Sequence, residues 1–396
     1  MLILSVLFWL SVFIVFYSYI GYAILLYITV RVKRLLRRGK RPSTGVFRPE
    51  VTFLVAAYNE EDFIADKIMN SLQQQYPADR LHFIFVTDGS SDQTNEIVRR
   101  YPAVTLLYRP ERGGKMAAIN RAMSMVTTPF VVFSDANTLL NREATGRLMD
   151  HFADERVGAV AGEKKVLATT GGAEAEGEGM YWKYESALKK WDAELYSVMG
   201  AAGELIAIRT SLYEQLPDDT ILDDFMLSFR INMKGYTVMY EPDAYAMETS
   251  SASLKEEYKR KVRISAGGFQ SMSRLLPLLN PFRYPKITWQ YISHRVLRWT
   301  LAPLCLLLAL ITNMLLLIIP GQYNSIYVIT GILQGLFYLA ALSGYILARK
   351  NIKAKYLYVP FYFVFMNVAV YIGFGRFLRK KQSAIWERSQ RSMAVR

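Results

Sequence analysis

Long stretches without a charged side chain constrain this chain most. Residues 1–30 contain no charged side chain, and neither do residues 300–319 and 326–348. At about 1.5 Å per residue, a helix of each length can cross a hydrocarbon core about 30 Å thick. We therefore predict transmembrane helices at 1–30, 300–319 and 326–348.

The first apolar run has two interpretations. A cleaved signal peptide has a charged start, a short apolar run and a small-residue cleavage site. Here the apolar residues begin at Met1 and the charge follows them, so we expect an uncleaved anchor. The segment 31–48, a juxtamembrane linker, holds eight basic residues and no acid. By the positive-inside rule it predicts that the following domain is cytoplasmic.

The apolar segment 356–376 leaves two alternatives open. A crossing there would export the basic tail 377–396, which the positive-inside rule disfavours. An interfacial or re-entrant segment avoids this conflict and is compatible with the tyrosines and phenylalanines of 356–376.

The segment 255–299 mixes Trp, Tyr, Pro and ten basic residues. We interpret 255–299 as amphipathic helices on the cytoplasmic face of the membrane.

The excess positive charge lies next to the predicted membrane segments and therefore reflects membrane topology. The formal net charge is +14, but residues 49–254 carry 19 basic and 31 acidic side chains. Because the presumed folded domain is acidic and the basic runs flank apolar segments, we expect no nucleic-acid partner.

The chain has one cysteine, Cys305, and three scattered histidines, which makes a zinc site implausible. The expected metal is therefore a hard cation held by oxygens.

Residues 49–254 alternate short apolar runs with polar, helix-compatible stretches. This pattern predicts an α/β domain, a doubly wound, mostly parallel sheet, joined to α-helical transmembrane and interfacial segments. Ligands of such sheets bind beyond the carboxyl ends of the strands. The predicted strands are 51–57, 82–87, 104–108 and 130–134, and the predicted helices are about 60–75, 92–101 and 114–126.

Polar residues follow all four predicted strands. AAYNEE (56–61) and DGSSDQT (88–94) could hydrogen-bond a base or a ribose, or could simply make turns and helix caps. In RPERGGKMAAIN (109–120), paired glycines open a helix, and a helix N-terminus with a lysine suits a diphosphate. SDAN (134–137) can direct two oxygens to one divalent cation or be a turn. Together the four sites predict a pocket for a nucleoside diphosphate with Mg²⁺ or Mn²⁺.

At this point the sequence resembles the family 2 glycosyltransferases, in particular the membrane-embedded cellulose, chitin, hyaluronan and poly-N-acetylglucosamine synthases. The resemblance implies a glycosyltransferase A type fold. SDAN resembles the family's D-x-D, whose acids hold nucleotide and metal, so Asp135 and Asn137 would hold the metal, with Asn137 in place of the second acid. The positions that the resemblance assigns to the nucleotide are Ala57, Tyr58, Asn59, Glu60, Asp88, Gly114, Lys115 and Asp135.

Two later segments extend the resemblance. GAAGELIAIR (200–209), with Gly203 and Glu204, resembles the segment that faces the acceptor sugar. TILDDFMLSFRINMKGY (220–236) resembles the T-E-D helix and places Asp224 at the position of the catalytic base. A sugar hydroxyl that displaces a nucleoside diphosphate needs such a carboxylate to take its proton. Helix capping is the alternative role of Asp223 and Asp224, and one of the two is expected to have it.

The segment RKVRI (260–264) lies where the family has Q-x-x-R-W. Arg263 matches the arginine that would assist the leaving group, whereas Arg260 replaces the glutamine and Ile264 replaces the tryptophan platform of processive members. In the tail, Trp386 and Arg391 resemble a gating loop. The small, acidic segment 169–179 is interpreted as a mobile loop near the donor site.

The resemblance implies an inverting, metal-dependent transfer of a sugar from a UDP-sugar to a saccharide acceptor, making a β-linked polysaccharide or oligosaccharide at the cytoplasmic face of the plasma membrane. Its partners would be the nucleotide-sugar donor, the acceptor and membrane lipid. One alternative is the addition of a single sugar to a lipid-linked acceptor, which the absent tryptophan favours. Another is a non-catalytic component that binds nucleotide or polymer for a partner synthase.

Overall fold

The computed structural model describes most of the chain. For residue 167 and residues 173–180 it describes the backbone alone. The described residues are 2–36, 46–167, 173–249, 253–319, 325–350, 352 and 354–383.

One eight-stranded sheet organises the α/β domain. Its strands are β1 Val51–Ala57, β2 Leu81–Asp88, β3 Val104–Arg109, β4 Phe130–Asp135, β5 Leu139–Leu140, β6 Val157–Leu167, β7 Leu205–Arg209 and β8 Thr237–Thr249. The spatial order is β3-β2-β1-β4-β7-β6-β8-β5. The pairs β1–β2, β2–β3, β1–β4 and β6–β8 are parallel, and the pairs with β7 and β5 are antiparallel. The predicted mostly parallel α/β fold is therefore confirmed.

Fourteen α-helices accompany the sheet in the described part of the chain. They are α1 Leu2–Phe16, α2 Tyr22–Leu36, α3 Ile64–Leu72, α4 Thr94–Arg99, α5 Lys115–Met123, α6 Ala144–Asp150, α7 Ala173–Leu195, α8 Asp223–Met233, α9 Leu254–Arg274, α10 Pro285–Tyr291, α11 Leu297–Trp299, α12 Leu301–Ile318, α13 Ser325–Arg349 and α14 Lys355–Leu378. Two π-helical segments, Tyr17–Gly21 and Ile292–Val296, join α1 to α2 and α10 to α11. Helices α3, α4 and α5 fall within the three predicted helical stretches.

Parallel register brings the predicted motifs to one edge of the sheet. All seven residues of β1 are buried, which explains why this strand is a continuous apolar run. Ala57 pairs with Thr87 of β2, and Ala56 pairs with Asp135 of β4. The residues that follow β1, β2 and β4 therefore emerge side by side.

One segment differs from its prediction. Residues 173–179, interpreted as part of a mobile loop, form the first turns of α7. The helix continues through the aromatic and charged residues 181–195 and packs against α2 and β6. The segment 173–179 consists of alanine, glycine and glutamate and has no apolar periodicity, so a helix could not be predicted there from the local pattern. The remainder of that predicted loop, 169–172, lies outside the described residues.

Four helices are long and apolar enough to cross a membrane in the described part of the chain. They are Leu2–Leu36, Leu301–Ile318, Ser325–Arg349 and Lys355–Leu378. The last one, α14, is a continuous helix that contains Pro360 and packs against α9 and α13. Its length and composition suit a crossing, and the interfacial and fourth-span interpretations both stay predictions.

Some predicted segments lie outside the described residues. They are the central part of the basic linker (37–45) and the end of the tail (384–396). The tail includes Trp386 and Arg391, so the predicted gating loop has no structural account.

Candidate active site

A cavity of about 1010 Å³ opens beyond the carboxyl ends of β1 and β4. It extends from the edge of the sheet to residues of the candidate membrane helices, including Tyr19 of the first and Asn367 of the last. Eleven of the predicted site residues line it: Tyr58, Glu60, Lys115, Asp135, Asn137, Gly203, Glu204, Asp223, Asp224, Arg260 and Arg263. Residues far apart in the sequence thus share one chamber.

Asp88 shapes the glycine turn that precedes α5. Its two carboxylate oxygens accept hydrogen bonds from the backbone N–H groups of Gly113 (2.9 Å) and Gly114 (2.7 Å). Gly114 has φ +96°, a conformation that a side chain would strain. Asp88 and Gly114 lie outside the cavity lining, so their visible role is to fix the start of α5 and thereby Lys115.

The residues after β1 form a second fixed turn. Asn59 has φ +52°, and its Oδ1 accepts a hydrogen bond from the backbone N–H of Ser91 at 2.8 Å. Ala57 is fully buried at the end of β1, and neither Ala57 nor Asn59 lines the cavity. Tyr58 does line it, with the guanidinium of Arg112 3.7 Å from the centre of its ring. A flat, cation-backed ring is a suitable surface for a base.

Lys115 connects two carboxylates at the centre of the site. Its Nζ lies 3.0 Å from Asp135 Oδ1 and 3.1 Å from Asp223 Oδ2. Burial alone would lower the pKa of Lys115, but the charges of Asp135 and Asp223 outweigh burial and raise this pKa above its usual value. The ammonium is therefore a permanent positive charge between the end of β4 and the start of α8.

Asp224 lies beside this ion pair and has a raised pKa. Burial, reinforced by the charge of Asp223 and opposed by that of Lys115, raises the pKa of Asp224 to about 7. A Cβ built on Gly203 would lie 3.5 Å from Asp224 Cγ, so the glycine segment directly borders the carboxylate. A carboxylate with a pKa near neutrality is suited to accept a proton from a sugar hydroxyl.

The turn after β4 presents two oxygens to the cavity. Lys67 supports this turn from behind: its Nζ donates to Ser134 Oγ (2.6 Å) and to the Thr138 carbonyl (2.9 Å). Burial lowers the pKa of Lys67 to about 7. Lys67 was not identified from the sequence, because a lysine in the middle of a predicted helix carries no signal of burial.

Asp135 and Asn137 can hold a divalent cation together with a diphosphate. Asn137 Oδ1 is buried, and no hydrogen-bond partner for it exists among the described residues. In the described ranges there is no group of three His, Cys, Asp or Glu side chains arranged around a metal position. One carboxylate and one amide oxygen suit Mg²⁺ or Mn²⁺, since such ions take their remaining ligands from phosphate oxygens and water.

A second charged cluster lines the cavity near the glycine segment. Lys164 Nζ lies 2.5 Å from Glu204 Oε1 and also pairs with Glu248. Burial would raise the pKa of Glu204, but the charge of Lys164 and its hydrogen bond lower it to about 2. Glu204 is therefore ionised and fixed in place, which leaves Asp224 as the nearby carboxyl with a pKa near neutrality.

The arginines of α9 differ from one another. Arg260 is held by Glu257, with an Nη2 to Oε2 distance of 2.9 Å. Arg263 lines the cavity half-buried and has no hydrogen-bond or ion-pair partner in the described parts of the chain. Arg263 can therefore turn to an anionic ligand without breaking an existing contact.

The sequence reasoning missed the contribution of α7. Trp182, Glu185, Lys189 and Asp192 recur at intervals of three and four residues, which places them on one helix face. The first three line the cavity. The helical spacing was the signal that could have identified them.

Two acids of α7 enter a buried network with the segment before α12. Glu185 bonds Arg298 at 2.6 Å, and Asp192 bonds His294 Nδ1 at 2.6 Å. The hydroxyl of Tyr22, in the first candidate membrane helix, donates to Asp192. This network attaches the cavity wall to the first candidate membrane helix.

The fold and this arrangement of carboxylates agree with a comparison against known families. The model described as "Glycosyltransferase like family 2" matches residues 49–267, which is more than half of the chain. The chain belongs to this family. The predicted family and the predicted enzyme class are thus confirmed for this glycosyltransferase.

Known relatives resemble it over part of their length. Poly-beta-1,6-N-acetyl-D-glucosamine synthase of Staphylococcus aureus strain MSSA476 is 27% identical over 274 residues, which are 66% of this chain and 65% of that protein. A probable glycosyltransferase YdaM of Bacillus subtilis strain 168 is 27% identical over 235 residues, 55% of each chain. The glycosyltransferase thus spans less than two thirds of the length of these curated relatives.

A solved structure supports the fold over nearly the whole chain. The mannosyltransferase PcManGT from Pyrobaculum calidifontis, in complex with GDP-Man and Mn²⁺, aligns with a TM-score of 0.71 and 23% identity. The alignment covers 95% of this glycosyltransferase and 99% of that chain. At this identity the likeness concerns the fold alone.

Proposed function

We propose that this glycosyltransferase transfers a sugar from a UDP-sugar to a saccharide acceptor with inversion, at the cytoplasmic face of a membrane. The observation that carries the proposal is Asp224, a buried carboxyl with a pKa of about 7 beside the Lys115–Asp223 ion pair in one large cavity. A permanent cation and a proton acceptor side by side are what an in-line displacement of a nucleoside diphosphate requires.

The reaction follows from these positions. Asp224 takes the proton of an acceptor hydroxyl, whose oxygen forms a bond to the anomeric carbon of the donor sugar as the bond to the diphosphate breaks. Lys115 and Arg263 stabilise the negative charge that remains on the diphosphate. Because attack and departure occur on opposite faces, an α-linked donor gives a β-linkage.

Asp135 and Asn137 are the residues that would hold a divalent cation. When bound there, Mg²⁺ or Mn²⁺ would supply positive charge to stabilise the leaving diphosphate. The buried Oδ1 of Asn137, which has no hydrogen-bond partner in the described part of the chain, supports this assignment. Lys67, which holds both ends of the turn, keeps the two oxygens in position.

The acceptor reaches the site from the membrane side in this proposal. The cavity continues from Asp224 to Tyr19 and Asn367 of the candidate membrane helices. A growing β-linked saccharide fits such a passage, in keeping with the name of the Staphylococcus aureus relative. A lipid-linked acceptor of a single sugar is the second candidate, which Ile264 favours because it lies where processive members have a tryptophan.

A donor screen tests the proposal. Purified protein in nanodiscs is incubated with UDP-N-acetylglucosamine, other UDP-sugars and GDP-mannose, each with Mn²⁺, Mg²⁺ or EDTA, and release of the nucleoside diphosphate is measured. We expect metal-dependent release from one UDP-sugar. Release from GDP-mannose alone would contradict the UDP assignment, and release from no donor would contradict the activity. Product size then separates a ladder of saccharides from a single addition.

A further inference from the structure

Lys189 is a buried lysine that the proposed reaction does not use. Its side chain is 4% exposed and lines the cavity from α7. Among the described residues it has no hydrogen-bond or ion-pair partner. The centre of the Trp182 ring lies 5.4 Å from Lys189 Nζ.

Neighbouring lysines of the same cavity are paired. Lys164 bonds Glu204 and Glu248, and Lys261 lies 3.4 Å from Glu257. A buried ammonium without hydrogen-bond acceptors is costly, because it loses its hydration shell without replacement. Burial lowers the pKa of Lys189, in agreement with this environment. The cavity is where the missing acceptors can be supplied.

A continuous wall leads from the catalytic carboxyl to Lys189. Gly203 borders Asp224, and its neighbour Glu204 bonds Lys164 at 2.5 Å. Lys164 Nζ lies 5.2 Å from the centre of the Trp182 ring, and Lys189 Nζ lies 5.4 Å from it. Lys189 therefore belongs to the wall formed by the glycine segment, β6 and α7, and not to the Lys115 and Asp135 side.

The surrounding charges indicate what kind of ligand fits. The carboxylates of Glu163, Glu204 and Glu185 and the guanidinium of Arg295 all contribute to the electrostatic environment of Lys189. Among these charged groups the carboxylates outnumber the guanidinium, which disfavours a diphosphate there, and Lys115 and Arg263 already face the cavity for that group. A neutral saccharide avoids this repulsion, and its hydroxyl and carbonyl oxygens can accept hydrogen bonds from the ammonium.

We propose that Lys189 is a binding residue for the acceptor saccharide, donating hydrogen bonds to its hydroxyl or N-acyl carbonyl oxygens while Asp224 deprotonates the attacking hydroxyl. The inference rests on the proposed function and adds a residue of the acceptor site, with the acceptor oxygens that this residue would bind. Trp182 supports the lysine side chain at this position through its ring face.

The test separates acceptor binding from donor chemistry. We measure the acceptor KM with tetrasaccharides of β-1,6- and β-1,4-linked N-acetylglucosamine, and the donor KM from hydrolysis without acceptor. For Lys189→Met we expect an acceptor KM about 10- to 100-fold higher, the effect of losing a charged hydrogen bond, with an unchanged donor KM. Lys189→Arg should restore part of the affinity. The matched control is Lys190→Met, because Lys190 is exposed on the same helix.

Three outcomes would overturn the inference. The first is an unchanged acceptor KM in Lys189→Met, and the second is an equal loss of donor hydrolysis and of transfer in that variant. The third is a wild-type protein that accepts polyprenyl phosphate but neither tetrasaccharide. All three leave donor hydrolysis by the wild type intact. Failure of the proposed function differs, since the wild type would then hydrolyse no nucleotide sugar at all.

Discussion

Lys115 Nζ lies 3.1 Å from Asp223 Oδ2, and this ion pair is the immediate neighbour of Asp224. The two partners act on Asp224 in opposite directions: the charge of Asp223 raises its pKa, and the charge of Lys115 lowers it. Burial also raises this pKa, so that the pKa of Asp224 is about 7. The two consecutive acids that start α8 therefore have distinct roles, one paired with a cation and the other able to exchange a proton.

The dependence of transfer activity on pH should reflect the pKa of Asp224. A base with a pKa of about 7 is active when deprotonated, so activity should fall as pH drops through about 7. In Asp223→Asn the charge that raises the pKa of Asp224 is lost while Lys115 keeps its ion pair with Asp135, so the acidic limb should move to lower pH by about one unit. The measurement is transfer rate between acidic and basic pH. Asp218→Asn, a change at an exposed acid, should leave the limb in place; an unmoved limb in Asp223→Asn would contradict the assignment.

Metal affinity should respond to the residue at 137. In Asn137→Asp, a second carboxylate would join that of Asp135 in holding the cation, and affinity for hard cations rises with ligand charge. We expect the half-activating Mn²⁺ concentration to fall by about tenfold, and to rise by about tenfold in Asn137→Ala. Mn²⁺ binding with UDP, measured by electron paramagnetic resonance, gives a readout apart from activity. Equal Mn²⁺ affinity in all three proteins would place the cation elsewhere.

The network around His294 should contribute stability. His294 is fully buried and bonds Asp192 at 2.6 Å, so His294→Ala leaves a buried carboxylate with one partner fewer. We expect a loss of about 2 kcal/mol in the free energy of unfolding and a lower Tm in detergent. His82→Ala changes an exposed histidine and serves as the control. A Tm equal to that of the wild type would show that the network adds no net stability.

Much of the catalytic fold was predictable because its strands are short apolar runs that end in polar motifs. The β1 run is buried on both faces, and parallel register then places Ala56 beside Asp135. The positions of Lys115, Asp135 and Asp224 in one cavity follow from that register and the family pattern. Their catalytic roles stay predictions until variants are measured.

The rest of the site depends on long-range contacts that leave no local signal. Lys164 meets Glu204 and Glu248 only because β6 lies between β7 and β8. The start of α7, rich in glycine and acids, is helical although its sequence has no apolar period. Helical spacing could have placed Lys189 on one face with Trp182 and Glu185, but only the tertiary structure shows that this face lines the cavity.

The central claim is that Asp224 is the base of a glycosyl transfer, and Asp224→Asn tests it most directly. The asparagine keeps the shape of the side chain but cannot take a proton, so we expect UDP affinity within about twofold of the wild type and transfer slower by about 10³-fold. Asp219→Asn, at an exposed position, should transfer at the wild-type rate. A variant at 224 that still transferred sugar at a comparable rate would contradict the account.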